Sequence, residues 1–137
     1  MDSKRRINYM LLGIVVVIMQ VIGALWYSPV LFGNLWAGNL GVTPQQITDR
    51  LGTAPYVLSI LGSILMCMVL NRLIVVTKTN TLARGVQLAV LLWLGLVLTV
   101  LSTHYAFLGM TRMIFIDAGK DLVAMAVAGA ILASGQE

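Results

Sequence analysis

Long apolar runs, separated by short polar clusters, dominate the chain. Three of them cover residues 7–26, 54–76 and 82–107. Each is about as long as the roughly 20 residues that an α-helix needs to cross a bilayer. The first run follows a short basic head, but aromatic residues stand at its end where a signal peptide has small cleavage-site residues. The pattern therefore predicts three transmembrane helices, of which the first is not cleaved.

The last apolar run is interrupted by charge. Residues 113–134 contain Asp117, Lys120 and Asp121, and the uncharged part, 122–133, is too short to cross a bilayer. The whole run is long enough at about 1.5 Å per residue. We therefore expect a fourth transmembrane helix at 113–134, with its charged turn near one membrane face. The alternative is a three-helix protein with an interfacial tail.

A connector at residues 27–53 joins the first two runs and is rich in glycine and proline. The Ser-Pro pair at 28–29 ends the first helix, because proline lacks an N–H and disfavours the α conformation of the residue before it. The stretch 43–46, Thr-Pro-Gln-Gln, is typical of a helix start, with threonine at the N-cap and glutamine three residues later. We expect a short helix over about 44–51.

Composition supports an all-α fold, a membrane-embedded bundle of four transmembrane helices with a longer, partly helical connector between helices 1 and 2. Of the 137 residues, 59% are hydrophobic and 10% are charged. Soluble domains usually carry about 25% charged residues, so a soluble globule is excluded. Residues 1–137 are expected to form a single transmembrane domain whose surroundings are the lipid bilayer. The basic residues stand at the ends of apolar runs, which indicates membrane orientation and not nucleic-acid binding.

The distribution of Lys and Arg predicts the orientation. Four helices put both termini and the turn near Lys78 on one side, which collects six of the nine basic residues. We therefore expect a multi-pass protein of the inner (plasma) membrane with a cytoplasmic N-terminus and C-terminus, and the connector outside. The six are Lys4, Arg5, Arg6, Arg72, Lys78 and Arg84, and the other three are Arg50, Arg112 and Lys120.

Polar and aromatic residues converge near the outer ends of the predicted helices. Gln20 and Tyr27 are seven residues apart and share a face of small residues on the first helix. Such a face usually packs against other helices. Trp26 stands at the exit of this helix, where aromatic residues often serve as interfacial anchors. His104, the only histidine, lies near the end of the third helix. A histidine there is usually only hydrogen-bonded, but it is also a group that can transfer a proton.

The three charged residues of the last run, Asp117, Lys120 and Asp121, share one helix face, because they are three and four positions apart. An ionisable group at the bilayer centre costs about 2.5–3.5 kcal/mol and is a functional candidate by default. The alternative is that these charges lie among the headgroups, where acids suit the N-terminal end of the helix dipole. Both interpretations stay open.

Other features concern packing and metal chemistry. Small residues recur on two faces of the last helix and favour close packing at the bundle centre or against another copy, so we expect a homo-oligomer. Cys67, the single cysteine, is expected to be a small core residue. The sequence has no Walker loop, no His-Glu-x-x-His and no Cys/His cluster with metal-ligand spacing. We predict no metal site, and no motif identifies a cofactor.

The signature of the DUF1761 family of small bacterial membrane proteins resembles residues 23–36, GALWYSPVLFGNLW. That family's last helix is similar to residues 115–119, FIDAG, and 128–132, AGAIL. The resemblance covers the first helix, its exit and the fourth helix, and it implies a four-helix membrane protein. It implies no activity, because the family is one of unknown function.

Together these features suggest an outward-opening cavity that binds a small amphiphile, a lipid headgroup or a quinone-like ring. Three other classes stay open. These are a proton- or ion-conducting oligomer with Asp117 and His104 as relay, a membrane enzyme with His104 as base, and a structural subunit of a larger membrane complex. The candidate ligand-binding residues are Gln20, Trp26, Tyr27, Trp93, His104, Asp117 and Asp121.

Overall fold

A computed structural model describes residues 7–136, and in this part of the chain it contains six helices and no strand. The helices are α1 (Tyr9–Trp26), α2 (Gly33–Leu40), α3 (Pro44–Leu51), α4 (Ala54–Val76), α5 (Leu82–Phe107) and α6 (Thr111–Ser134). Within α5, a π-helical turn at Trp93–Leu98 separates two α-helical parts. The predicted all-α class is confirmed. The basic residues Lys4, Arg5 and Arg6 of the predicted head lie outside the described residues.

Three of these helices, α1, α4 and α5, are long and apolar enough to cross a membrane. The prediction of four such helices is therefore correct for three of them. The fourth, α6, has 24 residues but is not in this set. The reason is charge, because Asp117, Lys120 and Asp121 lie within about one turn and interrupt its apolar run.

The other long helices pack around α6, which contacts α1, α4 and α5, whereas α4 and α5 touch each other little. Gly129 of α6 and Gly85 of α5 bring the two helices close together, since a Cβ placed on either glycine would collide with the backbone of the other. Small residues allow helix backbones to approach in this way. Ala124 and Ala128 of α6 are also buried. The least apolar long helix thus lies at the centre of the bundle.

Contacts at the two ends of the bundle show how the helices alternate in direction. At one end, the Gln136 side chain donates a hydrogen bond to Asn71 near the end of α4, at 3.0 Å. At the other end, Trp26, the last residue of α1, donates to the backbone oxygen of Ile116 near the start of α6, at 2.9 Å. The connector therefore lies at the same end of the bundle as the first turns of α6.

The connector contains two short helices, where the sequence pattern predicts one. Before α2 the chain turns so tightly that a Cβ on Gly33 would collide with the backbone of Tyr27 and Ser28. At the start of α3, the Thr43 side chain accepts from the backbone N–H of Gln46 at 3.2 Å, and the Gln46 side chain accepts from the N–H of Thr43 at 2.9 Å. The helix start expected at Thr43 is therefore present.

Candidate functional site

A single carboxylate joins three helices at the connector end of the bundle. Tyr27, the residue after α1, donates its phenolic O–H to Oδ1 of Asp117 at 2.5 Å. Tyr105 of α5 donates its O–H to Oδ2 of the same side chain. Each carboxylate oxygen of α6 therefore has a phenol as partner, and charge-assisted bonds of this kind are short and strong. Burial raises the pKa of Tyr27 above its ordinary value and the bond to Asp117 raises it further, so the phenol remains a proton donor.

Two indole rings hold the backbone on either side of this carboxylate. Trp26 donates to the oxygen of Ile116 at 2.9 Å, and Trp93 of α5 donates to the oxygen of Ala118 at 2.7 Å. Gly119 leaves room for one of the rings, because a Cβ there would stand 3.0 Å from Cζ2 of Trp26. The first turns of α6 are thus fixed by four aromatic side chains from two neighbouring segments.

The next turn of α6 carries an ion pair. Nζ of Lys120 lies 2.5 Å from Oδ1 of Asp121, and the two side chains are 28% and 21% exposed. Adjacent residues on a helix point in directions about 100° apart, so the pair is made by the long lysine side chain bending toward its neighbour. The acidic group is thereby neutralised inside the bundle, and the lysine keeps further N–H groups for other acceptors.

A polar network joins α1 to α4 within their apolar surfaces. The Gln20 side-chain nitrogen donates to the hydroxyl of Ser63 at 2.7 Å and to the backbone oxygen of Ser59 at 3.4 Å. The Ser59 hydroxyl donates back to the Gln20 side-chain oxygen at 3.1 Å. Both ends of the Gln20 amide are therefore satisfied, as polar groups between membrane helices require.

A cavity of about 510 Å³ lies beside this network. Volumes of roughly 300–1,000 Å³ are typical of sites for small molecules. Its wall combines apolar and aromatic groups with the polar network and one charged side chain. It is lined by Met19, Gln20, Gly23, Ala24 and Tyr27 of α1 and its exit, by Trp36, Pro44, Ile47, Thr48 and Gly52 of the connector, by Pro55, Tyr56, Ser59 and Ser63 of α4, and by Lys120 and Ala124 of α6.

The predicted site residues do not all lie at one place in the structure. Gln20 and Tyr27 line the cavity. Trp26, Trp93 and Asp117 belong to the aromatic and carboxylate cluster behind it. The members of this cluster hold α6 in place. The remaining two residues lie apart from each other: Asp121 pairs with Lys120, and His104 is exposed on α5.

His104 does not join the other predicted residues, which corrects the expected grouping. Its side chain is exposed and lines a surface groove on α5 with Thr99, Val100, Thr103, Phe107 and Leu108. The next residue, Tyr105, points at Asp117 instead. Neighbouring residues of a helix differ by about 100° in direction, so a helix that turns Tyr105 inward turns His104 away.

Four of the cavity residues that were not predicted give the cavity much of its chemistry: Ser59, Ser63, Trp36 and Lys120. Ser59 and Ser63 are four positions apart on an otherwise apolar helix, a spacing that puts both on one face toward Gln20. This pattern was available as a signal. No comparable sequence pattern marks Trp36 or Lys120 as a cavity residue, because only the folded connector and the packing of α6 bring them to the same cavity.

Metal ligands are not gathered anywhere in the described part of the chain, since no group of three His, Cys, Asp or Glu side chains lies close enough to hold an ion. The buried thiol of Cys67 lies 3.4 Å from the sulfur of Met19 and belongs to the core.

The family model described as a protein of unknown function, DUF1761, matches residues 11–133 of the chain. The matched region spans the aromatic and carboxylate cluster and every residue that lines the cavity. Comparison with curated proteins and with solved structures gave no match.

Proposed function

Since this chain belongs to the DUF1761 family of proteins of unknown function, we propose its function from its own geometry: it is an integral membrane protein that binds a small amphiphile in the cavity between α1, α4, α6 and the connector. The observation that carries this proposal is the lining of that cavity. Trp36 and Tyr56 form part of an apolar wall, and Gln20, Ser63 and Lys120 place polar groups inside it. A molecule with an apolar body and one polar end fits such a surface.

The proposal includes α6 as a fourth membrane crossing. The charges that separate α6 from the apolar helices are compensated, because Asp117 accepts from two tyrosines and Asp121 pairs with Lys120. Charged groups within membranes are usually directed into the bundle and paired in this manner. Several residues along α6, from Met113 to Ala133, are buried against the other helices. An interfacial tail would instead leave one face of α6 free of protein contacts.

The orientation follows from the same arrangement. With four crossings, six of the nine basic residues fall on the side of both termini and the Lys78 turn. The excess of Lys and Arg on cytoplasmic loops then puts the termini inside and the cavity, which lies beneath the connector, toward the outer face of the plasma membrane.

The test uses a pair of glycines in α1. Gly23 lines the cavity, and nothing stands within 4 Å of the place where its Cβ would be, so a side chain can start there and we expect Gly23→Leu to occupy part of the cavity. Gly13 has the same free space in the same helix but does not line the cavity, so Gly13→Leu is the matched control. Both substitutions improve helix propensity by a similar amount.

Four probes with ten-carbon or eight-carbon tails are added to the protein in lipid nanodiscs: decylubiquinone, dioctanoylglycerol, decanoate and decyltrimethylammonium. Ligands that bind the folded state raise its stability by RT ln(1 + [L]/Kd), so the rise of Tm with probe concentration reports the Kd. We expect at least one probe to do so with the unmodified protein and with Gly13→Leu, and about tenfold more weakly with Gly23→Leu. Saturable binding by none of the four, or equal binding by Gly23→Leu, would contradict the proposal.

A second candidate, proton conduction, is favoured by one observation. Asp117, a carboxylate within the bundle, accepts hydrogen bonds from the phenols of Tyr27 and Tyr105 and is a group that can take up and release a proton. Conduction through Asp117 predicts proton flux into liposomes that Asp117→Asn abolishes. An unchanged flux in that variant, or no flux with the unmodified protein, would exclude this candidate. Assembly into a homo-oligomer stays a prediction.

A further inference from the structure

Among residues 7–136, Lys120 is the only charged residue that lines the cavity. Its ammonium group pairs with Asp121, and within residues 7–136 no second acceptor is recorded for it. An ammonium group has three N–H donors. At least one N–H donor of the Lys120 ammonium group therefore has no acceptor among the described residues and is available at the cavity.

The charges around Lys120 restrict what this donor can bind. Asp117, Lys120 and Asp121 lie on one helix within about 6 Å along its axis, and their ordinary charges sum to −1. An anionic headgroup would make the local net charge −2 or more negative. Repulsion between these negative charges is strong in a medium of low dielectric constant. A cationic headgroup would have to approach the ammonium of Lys120 itself. An uncharged headgroup avoids both penalties.

Three other polar side chains of the cavity already have partners within the protein. The Gln20 amide is used by Ser59 and Ser63, the Tyr27 hydroxyl donates to Asp117, and the Thr48 hydroxyl donates to the backbone oxygen of Pro44. The Trp36 indole N–H and the Tyr56 hydroxyl also line the cavity, and no hydrogen bond is recorded for either within residues 7–136, so Lys120 is the charged donor among three that remain. All three can donate to an acceptor oxygen, and a carbonyl is an uncharged acceptor that many membrane-soluble molecules carry.

We propose, resting on the binding function above, that the amphiphile has an uncharged, carbonyl-bearing headgroup and that Lys120 donates a hydrogen bond to that carbonyl. A quinone ring and the ester of an uncharged glycerolipid share this chemistry. Lys120 thereby selects the ligand by the charge of its headgroup, while the apolar wall accepts the tail.

The experiment compares the same four probes in nanodiscs at fixed salt and pH. Decylubiquinone and dioctanoylglycerol are uncharged and carry carbonyls, decanoate is anionic, and decyltrimethylammonium is cationic. We expect at least one uncharged probe to bind about tenfold or more tightly than either charged probe. The ratio between the two uncharged probes distinguishes a quinone from a glycerolipid.

The decisive variant is Lys120→Met combined with Asp121→Asn. It removes the donor, leaves no unpaired carboxylate, and keeps the summed charge of residues 117–121 at −1. A hydrogen bond from a charged donor is typically worth a factor of about ten or more in affinity, so the uncharged probe should bind at least tenfold more weakly. Lys78→Met, in the exposed turn at the other end of the bundle, is the control and should leave binding unchanged.

The outcomes separate this inference from the proposed function. If a charged probe binds as tightly as the uncharged ones, or the double variant binds the uncharged probe normally, the inference is wrong while binding in the cavity stands, provided that Gly23→Leu still blocks it. If the double variant does not fold, Lys120→Leu with Asp121→Asn, which also has no donor at position 120, serves in its place. If no probe binds the unmodified protein saturably, the proposed function and this inference both fail.

Discussion

The indole N–H of Trp93 donates to the backbone oxygen of Ala118 at 2.7 Å, and Trp93 is also the first residue of the π-helical turn in α5. Ala118 directly follows Asp117, the carboxylate that Tyr27 and Tyr105 hold. Turns of π-helix inside α-helices are rare and frequently occur at functional sites. The π-helical turn of α5 therefore begins at the residue that bonds to the charged part of α6.

Loss of the hydrogen bond between Trp93 and Ala118 should lower the stability of the fold. Trp93→Phe removes the hydrogen bond to Ala118 and keeps an aromatic ring, so we expect the free energy of unfolding to fall by about 1 kcal/mol. Denaturant titration in mixed micelles measures it. Trp36→Phe is the control, because no hydrogen bond of its indole is recorded within residues 7–136. An equal loss in both variants would assign the effect to ring size.

Substitution of two neighbouring residues of α5 should affect stability to very different extents. Tyr105→Phe leaves one oxygen of Asp117 without its partner, and we expect a loss of about 1.5–3 kcal/mol, the usual range for a bond to a charged group. His104→Ala removes an exposed side chain and should change stability by less than about 0.5 kcal/mol. Unfolding in mixed micelles measures both. A larger loss in His104→Ala would restore the grouping that the sequence suggested.

The crossing of α5 and α6 should not tolerate a methyl group. Gly129→Ala places a Cβ against the backbone of Gly85 and within 2.9 Å of the Cβ of Ala89, so the helices must separate. We expect a loss of about 1–3 kcal/mol, as for other overpacked sites. Gly62→Ala in α4 meets nothing within 4 Å and should be neutral or slightly stabilising. Similar behaviour of the two variants would argue against the close crossing.

The orientation can be read from thiol labelling in intact cells. With Cys67 replaced by Ala, Asn34→Cys in α2 and Asn80→Cys in the turn before α5 each provide one exposed thiol at opposite ends of the bundle. We expect a membrane-impermeant maleimide to label position 34 in intact cells and position 80 only after permeabilisation. Labelling of position 80 alone in intact cells would invert the proposed topology. Labelling of both without permeabilisation would rule out the alternating helices.

Much of the fold follows from local features of the sequence. The start of α3 depends on Thr43 and Gln46, which are only three residues apart, so a short pattern is sufficient to predict it. The end of α1 depends on the Ser28-Pro29 pair for the same reason. The site is less predictable. Asp117 could be chosen as a candidate for its charge alone, but its partners Tyr27 and Tyr105 are 90 and 12 residues away.

The sequence by itself determined that this chain is helical and carries three runs apolar enough to cross a membrane, because length and hydrophobicity act locally and need no knowledge of packing. Only the tertiary structure decided that the charged α6 lies at the centre, that Tyr105 and not His104 faces Asp117, and that Lys120 reaches a cavity beside Gln20. These relationships depend on the rotation of each helix about its axis. In a helix that is apolar on nearly all sides, that rotation is set by close packing at a few small residues, such as Gly85 against Gly129, and hydrophobicity leaves it undetermined.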